Sequence, residues 1–343
     1  MCEHNPIYCI MPPHIFRHIV THGDEGQRHW ALTTVSSSER IRGHRDILER
    51  YDLAKRDNGK FRVVQTASHT QNLVGSPVRK EGQPPVDNKA VNEAYEHTGD
   101  VYDFYMNAYN RNSIDDKGMK IFSTVHFGKD FNNAFWNGER MVFGDGDGKI
   151  FQRFTKCLEV IGHELTHGVT GTTIKLDTHG ESGALNEAIS DVFGCLSLQN
   201  KHNQTADQAE WVIGAGLFTK EVDGVGIRSL KAPGTAYNDK VLGKDPCPAS
   251  MADFVKTQDD SGGIHINCTI PSHAFYLAAV EIGGHAWEKA GRIWYNTVTR
   301  RLADSKTDFQ TFADLTLKVS HKLFGPGPET AAFNRAWKKV GIL

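Results

Sequence analysis

The amino-acid sequence predicts an α+β protein with a β-rich N-terminal lobe, a mainly helical C-terminal lobe and a short N-terminal appendage. Three observations carry this. Short β-prone runs (FRVVQT, KIFSTVHF and RMVFG) surround one long helical stretch up to about Val142. From about Phe151 onward, apolar residues recur at helical spacing. Around residues 52–60, LAKRDNGK is polar, basic and rich in turn formers, which marks a linker open to cleavage. The expected boundaries are 1–55, 56–174 and 175–343.

In chain order, PPHIFRHIVTHG predicts a short helix that proline opens, Ile15, Phe16, Ile19 and Val20 face inward, and Gly23 closes. A second helix is expected from Ser36, where SSSE has the form of a capping box. The stretch AVNEAYEHTGDVYDFYMNAYNR predicts a helix between the β-prone runs. The run GDGDGK at 144–149 matches neither a phosphate-binding loop nor a calcium loop and is expected to be a turn between strands. Helices are then expected over 155–172, 183–200, 206–220, 271–283, 285–302, 308–323 and 328–339.

Composition narrows the function. The formal net charge is −2 with no one-signed region, which argues against nucleic-acid and electrostatic membrane partners. No apolar run reaches the length of a membrane span, and the N-terminus lacks the basic start and long apolar segment of a secretory signal. The six cysteines form no CxxC pair, and Cys157 and Cys195 read as buried, inert thiols.

The chemistry concentrates in IGHELTHGVTGTT (161–173) and ESGALNEAISDVFG (181–194). On a helix, residues four apart share a face, so His163 and His167 can offer two ring nitrogens to one ion, with Glu164 beside them. Glu187 and Asp191 repeat that spacing. One of these carboxylates can complete a metal site and the other can orient a ligand histidine. The bland alternative, a solvated acidic face, sits poorly with the flanking Ala184, Leu185, Ile189, Val192 and Phe193.

HELTH followed by GALNEAISD resembles the thermolysin family of zinc metalloproteases. FNNAFWNGERMVFGDGDG (131–148), IRSLKAP (227–233) and DDSGGIHIN (259–267) extend the resemblance, in the family's order, over nearly all of 61–343. It implies a two-lobed fold with one catalytic zinc in the cleft, bound by His163, His167 and Glu187, and Glu164 as general base. It further implies His265 as oxyanion donor and Asp191 and Asp260 as the residues orienting His163 and His265. Asn133, the Ala134 backbone and Arg228 would hold substrate. Phe151, Val160 and Ile227 fall where the family lines an apolar pocket, which implies cleavage before bulky hydrophobic residues. The PPH segment resembles the short propeptide of the protealysin-like branch. The resemblance therefore implies a zymogen acting on proteins and peptides and inhibited by its own propeptide. It would be exported without a recognisable signal, with a cytoplasmic location as the alternative.

Three departures qualify these expectations. Thr178 stands where the family usually has a tyrosine that assists the oxyanion; loss of such a donor costs on the order of 10²–10³ in turnover. Cys268-Thr269 replaces the usual Ser-Gly and creates an Asn267-Cys268-Thr269 sequon, read as accidental, beside a second sequon at Asn203. The family's main calcium positions fall on Glu159, Leu198, Glu210, Val212 and Ala215, so Ca²⁺ binding there is expected to be weak or lost. A thiolate from Cys2 or Cys9 at the open zinc position is one way the appendage can block the site; packing of the PPH segment in the cleft is the other. A zinc-binding but inert peptide-binding homologue is the alternative function. A purely structural zinc site is disfavoured because no fourth Cys or His has suitable spacing.

Overall fold

The structure, a computed structural model, describes residues 8–43, 59–300 and 302–343. The expected boundary near residue 55, most of the linker and Cys2 lie outside the described residues.

A six-stranded mixed sheet organises the N-terminal half. Its strands are β1 (Tyr8–Cys9), β2 (Arg62–Thr66), β3 (Ser76–Lys80), β4 (Ile121–Val125), β5 (Ala134–Trp136) and β6 (Arg140–Phe143), in the order β1-β5-β6-β4-β2-β3. The central β2-β4 and β4-β6 pairs are parallel and the other pairs antiparallel. The appendage thus supplies an edge strand: Cys9 pairs with Phe135 and Tyr8 with Trp136. Covering an edge in this way satisfies a row of backbone groups that would otherwise stand open.

The appendage continues as α1 (Pro13–His22) and α2 (Glu25–Gly43). The expected start of a helix at Ser36 is incorrect, because α2 begins eleven residues earlier. The cap is a reciprocal pair: Gln27 N–H donates to the Asp24 carboxylate, and Asp24 N–H donates to the Gln27 side-chain oxygen, both at 2.8 Å. That is a capping box in D-x-x-Q form. Ser37 instead accepts a hydrogen bond from Gln71 at 2.9 Å.

Helix α3 (Lys89–Tyr109) packs on the sheet, capped by Asn88 through the Val91 N–H at 3.1 Å. The run 144–149 is a turn, as expected: the Asp147 carboxylate accepts from the N–H groups of Lys149, Ile150 and Phe151. It leads to an isolated bridge between Phe151 and Phe218, not to a further strand.

Helices α4 (Leu158–Thr172) and α5 (Gly180–His202) cross at the centre of the molecule. From Leu158 to Thr170 every residue of α4 is buried, as in a helix surrounded by protein. Two glycines set the approach. A Cβ on Gly162 would meet the Gly194 Cα at 3.0 Å, and one on Gly194 would meet the Glu159 carbonyl oxygen at 2.4 Å. Without side chains there, the two helix backbones come together and their polar faces meet.

The predicted helix over 206–220 is not formed. Gly214 and Gly216 adopt positive φ, as does Trp211, and Val212–Ile213 (β7) pairs with Arg228–Ser229 (β8). The apolar residues that mimicked helical periodicity are buried individually, Trp211 and Leu217 from irregular backbone and Ile213 from β7. The remaining helices are α6 (Asp260–Asn267), α7 (Thr269–Ile282), α8 (Ala290–Thr299), α9 (Phe309–Phe324) and α10 (Pro328–Lys339). α8 starts five residues later than expected, after Gly283 and Gly284 at positive φ. Asn267 is fully buried and bonded on both sides of its amide to Val255, so that sequon is unavailable to a glycan. Cys9, Cys157, Cys195, Cys247 and Cys268 form no disulfide.

Candidate active site

The helix pair α4/α5 brings three side chains to one point. The Nε2 atoms of His163 and His167 lie 2.9 Å apart, and the two Glu187 oxygens lie 3.4 Å from one or the other. For a tetrahedral ion with bonds of about 2.0–2.1 Å, neighbouring donors are about 3.3 Å apart, so the donor set has the right size for zinc. His163 Nδ1 bonds to Asp191 at 2.8 Å and His167 Nδ1 bonds to Ser190 at 3.1 Å, leaving both Nε2 atoms directed at the shared point. The Glu187 Oε2 atom is buried and has no hydrogen-bond partner. The residues therefore fit the metal.

The electrostatics agree. Burial opposes charge on His163, but its hydrogen bond to Asp191 and the nearby carboxylate of Glu187 outweigh this and raise it to about 9. Burial drives His167 down to about 3. Despite burial, the fields of His265 and His167 hold Glu187 well below the ordinary carboxylate range. Asp191 is also lowered against its burial, chiefly by the guanidinium of Arg228.

Glu164 is fully buried, one position round the helix. Its Oε2 accepts from the Trp136 N–H at 2.9 Å, while Oε1 has no hydrogen-bond partner. Burial raises its pKa well above the usual value.

His265 arrives from α6. At the start of that helix Asp260, Ser261, Gly262 and Gly263 all have positive φ, a left-handed stretch that the two glycines make accessible. The tight loop folds Asp260 back onto His265: its carboxylate accepts from the His265 N–H at 2.9 Å and pairs with Nδ1 at 2.7 Å. Nε2 is thereby aimed at the cleft, 3.5 Å from Glu187.

The other predicted residues are also together. Arg228 is fully buried and holds Asp191 with a two-pronged pair at 2.7 and 2.8 Å. Asn133 and Ala134 face the appendage. Phe151, Val160 and Ile227 are buried in the same apolar cluster as Ile10. The Thr178 hydroxyl pairs with its neighbour His179 at 3.1 Å.

Residues 9–11 run through the cleft. His265 Nε2 meets the Cys9 carbonyl oxygen at 3.0 Å, the Ile10 N–H donates to the Ala134 oxygen at 3.2 Å, and Arg228 donates to the Ile10 oxygen at 3.4 Å. The Met11 N–H donates to the Asn133 side chain at 3.2 Å. Cys9 itself packs with Phe127, Phe131, Phe135 and Val142. Of the two ways foreseen for the appendage to block the site, a Cys9 thiolate at the metal position is not what forms; its main-chain carbonyl meets His265 instead.

Sequence reading missed Ser190, although its place three residues after Glu187 put it on the same helix face. It also missed the Trp136 N–H, which carries no residue-type signal at all. The third omission is His14, whose Nε2 bonds the Tyr237 hydroxyl at 2.8 Å. Burial pushes its pKa down to about 4; Asp260 opposes this, and His265, Arg228 and His18 add to it. A group lowered from 6.5 to about 4 favours the docked appendage fully above pH 6.5, and that contribution is lost as pH falls toward 4. The shift corresponds to about 3 kcal/mol. Melting of the full-length protein between pH 4 and 7 should therefore show an acid-side loss that His14→Leu flattens; parallel curves would refute the assignment to His14.

Fold and site together define a zinc metallopeptidase of two lobes, with an N-terminal segment lying across its own cleft as in a zymogen. The chain belongs to the thermolysin metallopeptidase family: the family's catalytic-domain model matches residues 27–171 and its alpha-helical-domain model residues 175–342. An extracellular metalloprotease of Pectobacterium carotovorum subsp. carotovorum is 44% identical over 340 residues, which cover 98% of this chain and 97% of that protein. Protease PrtS of a Photorhabdus species is 43% identical over 347 residues, covering 99% and 93%. The solved precursor of protealysin, a metalloproteinase from Serratia proteamaculans, superposes with a TM-score of 0.91 at 45% identity, covering 98% of this chain and all of that one. The protein is a zinc-dependent endopeptidase acting on protein substrates. Among the described residues no helix is long and apolar enough to cross a membrane.

Proposed function

We propose that His163, His167 and Glu187 hold the catalytic zinc, with Asp191 and Ser190 fixing the two imidazoles, and that residues 1 to about 55 are a propeptide. When bound, the zinc supplies Lewis acidity, polarising a carbonyl and bringing the pKa of water toward about 7. Glu164 takes a proton from the attacking water and delivers it to the departing amine, its other oxygen being steadied by the Trp136 N–H. His265, oriented by Asp260, donates to the oxygen on which charge builds. The Asn133 side chain and Ala134 carbonyl hold the substrate as an added strand, and Arg228 holds the carbonyl after the scissile bond.

The observation that carries this reading is the binding of residues 9–11, an extended peptide gripped by these four residues, His265, Ala134, Arg228 and Asn133. Ile10 is fully buried, which supports cleavage before bulky apolar residues and inhibition by occupancy of the cleft. Secretion fits the extracellular relative named above. The test is hydrolysis of a peptide series by the processed, zinc-loaded enzyme. Peptides with Leu, Ile or Phe after the scissile bond should be cleaved at least about tenfold faster than those with Gly or Asp. A flat series would refute the pocket assignment, and zinc-loaded enzyme that cleaves none would favour the inert, peptide-binding alternative.

Calcium has no role in this reading. Leu198, Val212 and Ala215 line a cavity of about 220 Å³ beside Glu210, in place of a carboxylate cage. The remaining acid, Glu159, is fully buried, and its pKa is raised by that burial to about 7, with the Ala215 N–H opposing at 2.9 Å. A carboxyl raised from 4.5 to about 7 stabilises the fold fully below pH 4.5, and that benefit is lost as pH rises to 7. Glu159→Gln should therefore gain about 3 kcal/mol over wild type in going from pH 4.5 to 8. Neither protein's melting temperature should respond to calcium or EGTA; a calcium-dependent rise that Glu159→Gln abolishes would restore the metal site.

A further inference from the structure

The appendage does more than cover the cleft: four consecutive main-chain groups are in register with it. The Cys9 carbonyl faces His265, the Ile10 N–H and carbonyl face Ala134 and Arg228, and the Met11 N–H faces Asn133. A blocking segment can satisfy a sheet edge in many registers, or in either direction. This one puts a carbonyl on the proposed oxyanion donor and, next in sequence, a fully buried branched apolar side chain. Prolines at 12 and 13 fall just beyond, where the chain turns into α1, so that the N–H groups the cleft needs, those of Ile10 and Met11, are both present.

We infer that the Cys9–Ile10 peptide bond occupies the scissile position and that the enzyme hydrolyses it within its own chain, releasing residues 1–9 before or apart from cleavage of the linker. The bond between the Cys9 carbonyl carbon and the Ile10 nitrogen breaks. Water supplies the oxygen of the new Cys9 carboxyl group and the hydrogen of the new Ile10 amine, with no change of oxidation state. The cut removes β1 and the carbonyl at His265. It leaves Ile10, the Arg228 contact to its carbonyl, and the α1 contacts His14–Tyr237 and Arg17–Asp259 in place. The product is a partly unblocked precursor with Ile10 as its N-terminus.

The inference rests on the catalytic reading proposed above, and its test separates the two. Full-length protein is stripped of metal, kept reduced, given zinc and followed by intact mass and N-terminal sequencing. The expected first-order product begins IMPPH at a rate independent of protein concentration; it is absent in Glu164→Gln and formed more than about tenfold more slowly in Ile10→Asp. In the Glu164→Gln precursor, where nothing is cut, the Ile10 and Met11 amides should be protected from hydrogen exchange, and Ile10→Asp should remove that protection. If the matured enzyme cleaves peptides while the Cys9–Ile10 bond stays intact throughout maturation, the inference is overturned and the catalytic reading stands. If zinc-loaded protein hydrolyses no peptide in any form, both fall.

Discussion

Glu164→Gln will lower kcat for peptide hydrolysis about 10²–10⁴-fold, the usual contribution of a positioned general base. The change is nearly isosteric, and its amide oxygen can still accept from the Trp136 N–H at the place of Oε2. What it removes is basicity at Oε1, the buried oxygen left without a hydrogen-bond partner. KM and zinc stoichiometry should therefore change little, since Glu164 is outside the cluster of His163, His167 and Glu187. Steady-state kinetics beside metal analysis of the same samples reads both quantities. Residual kcat within tenfold of wild type would remove Glu164 from the proton path.

Arg228→Met will destabilise the protein by about 3–5 kcal/mol, the cost of leaving one partner of a buried ion pair alone. Both Arg228 and Asp191 are fully buried, and the guanidinium fork satisfies both Asp191 oxygens. Asp191 uses one of those oxygens to hold His163 as well, so zinc affinity should fall about 10–100-fold in the same variant. Arg228→Lys should recover little, because a point-like ammonium cannot reproduce the two-pronged geometry. Urea unfolding at fixed zinc, with a competing chelator to measure affinity, separates the two effects. A loss below about 1 kcal/mol would contradict the pair's assignment as a buried support of the metal site.

The two carboxylate–guanidinium and carboxylate–imidazole contacts of Asp191 explain why one acid was legible in the sequence while its full role was not. Its place four residues after Glu187 is a statement about one helix, readable from spacing. Its bond to Arg228 spans 37 residues, and nothing local in IRSLKAP announces a buried partner. The same contrast runs through the fold. Helices with one apolar stripe and a polar outer face were readable, including α9 and α10. The loop at 206–220 was misread because its large apolar residues are buried from irregular backbone, where period carries no information. The early start of α2 was visible in principle as D-x-x-Q, but the more familiar serine run drew the assignment to the wrong turn.

The sequence by itself determined the family and marked His163, His167 and Glu187, the three side chains that the structure brings to one point, with Glu164 beside them, because helical spacing and short motifs put those groups within one or two turns of chain. Tertiary structure alone decided what fills the cleft. The contact between Cys9 and His265 joins residues 256 apart, and the register of residues 9–11 on β5 follows from where α1 docks and where Asn133, Ala134 and Arg228 converge. Main-chain hydrogen bonds are nearly blind to residue type. A strand's partner and its register are therefore written in the packing around it, and here that packing sets the Cys9 carbonyl against His265 and the Ile10 carbonyl against Arg228.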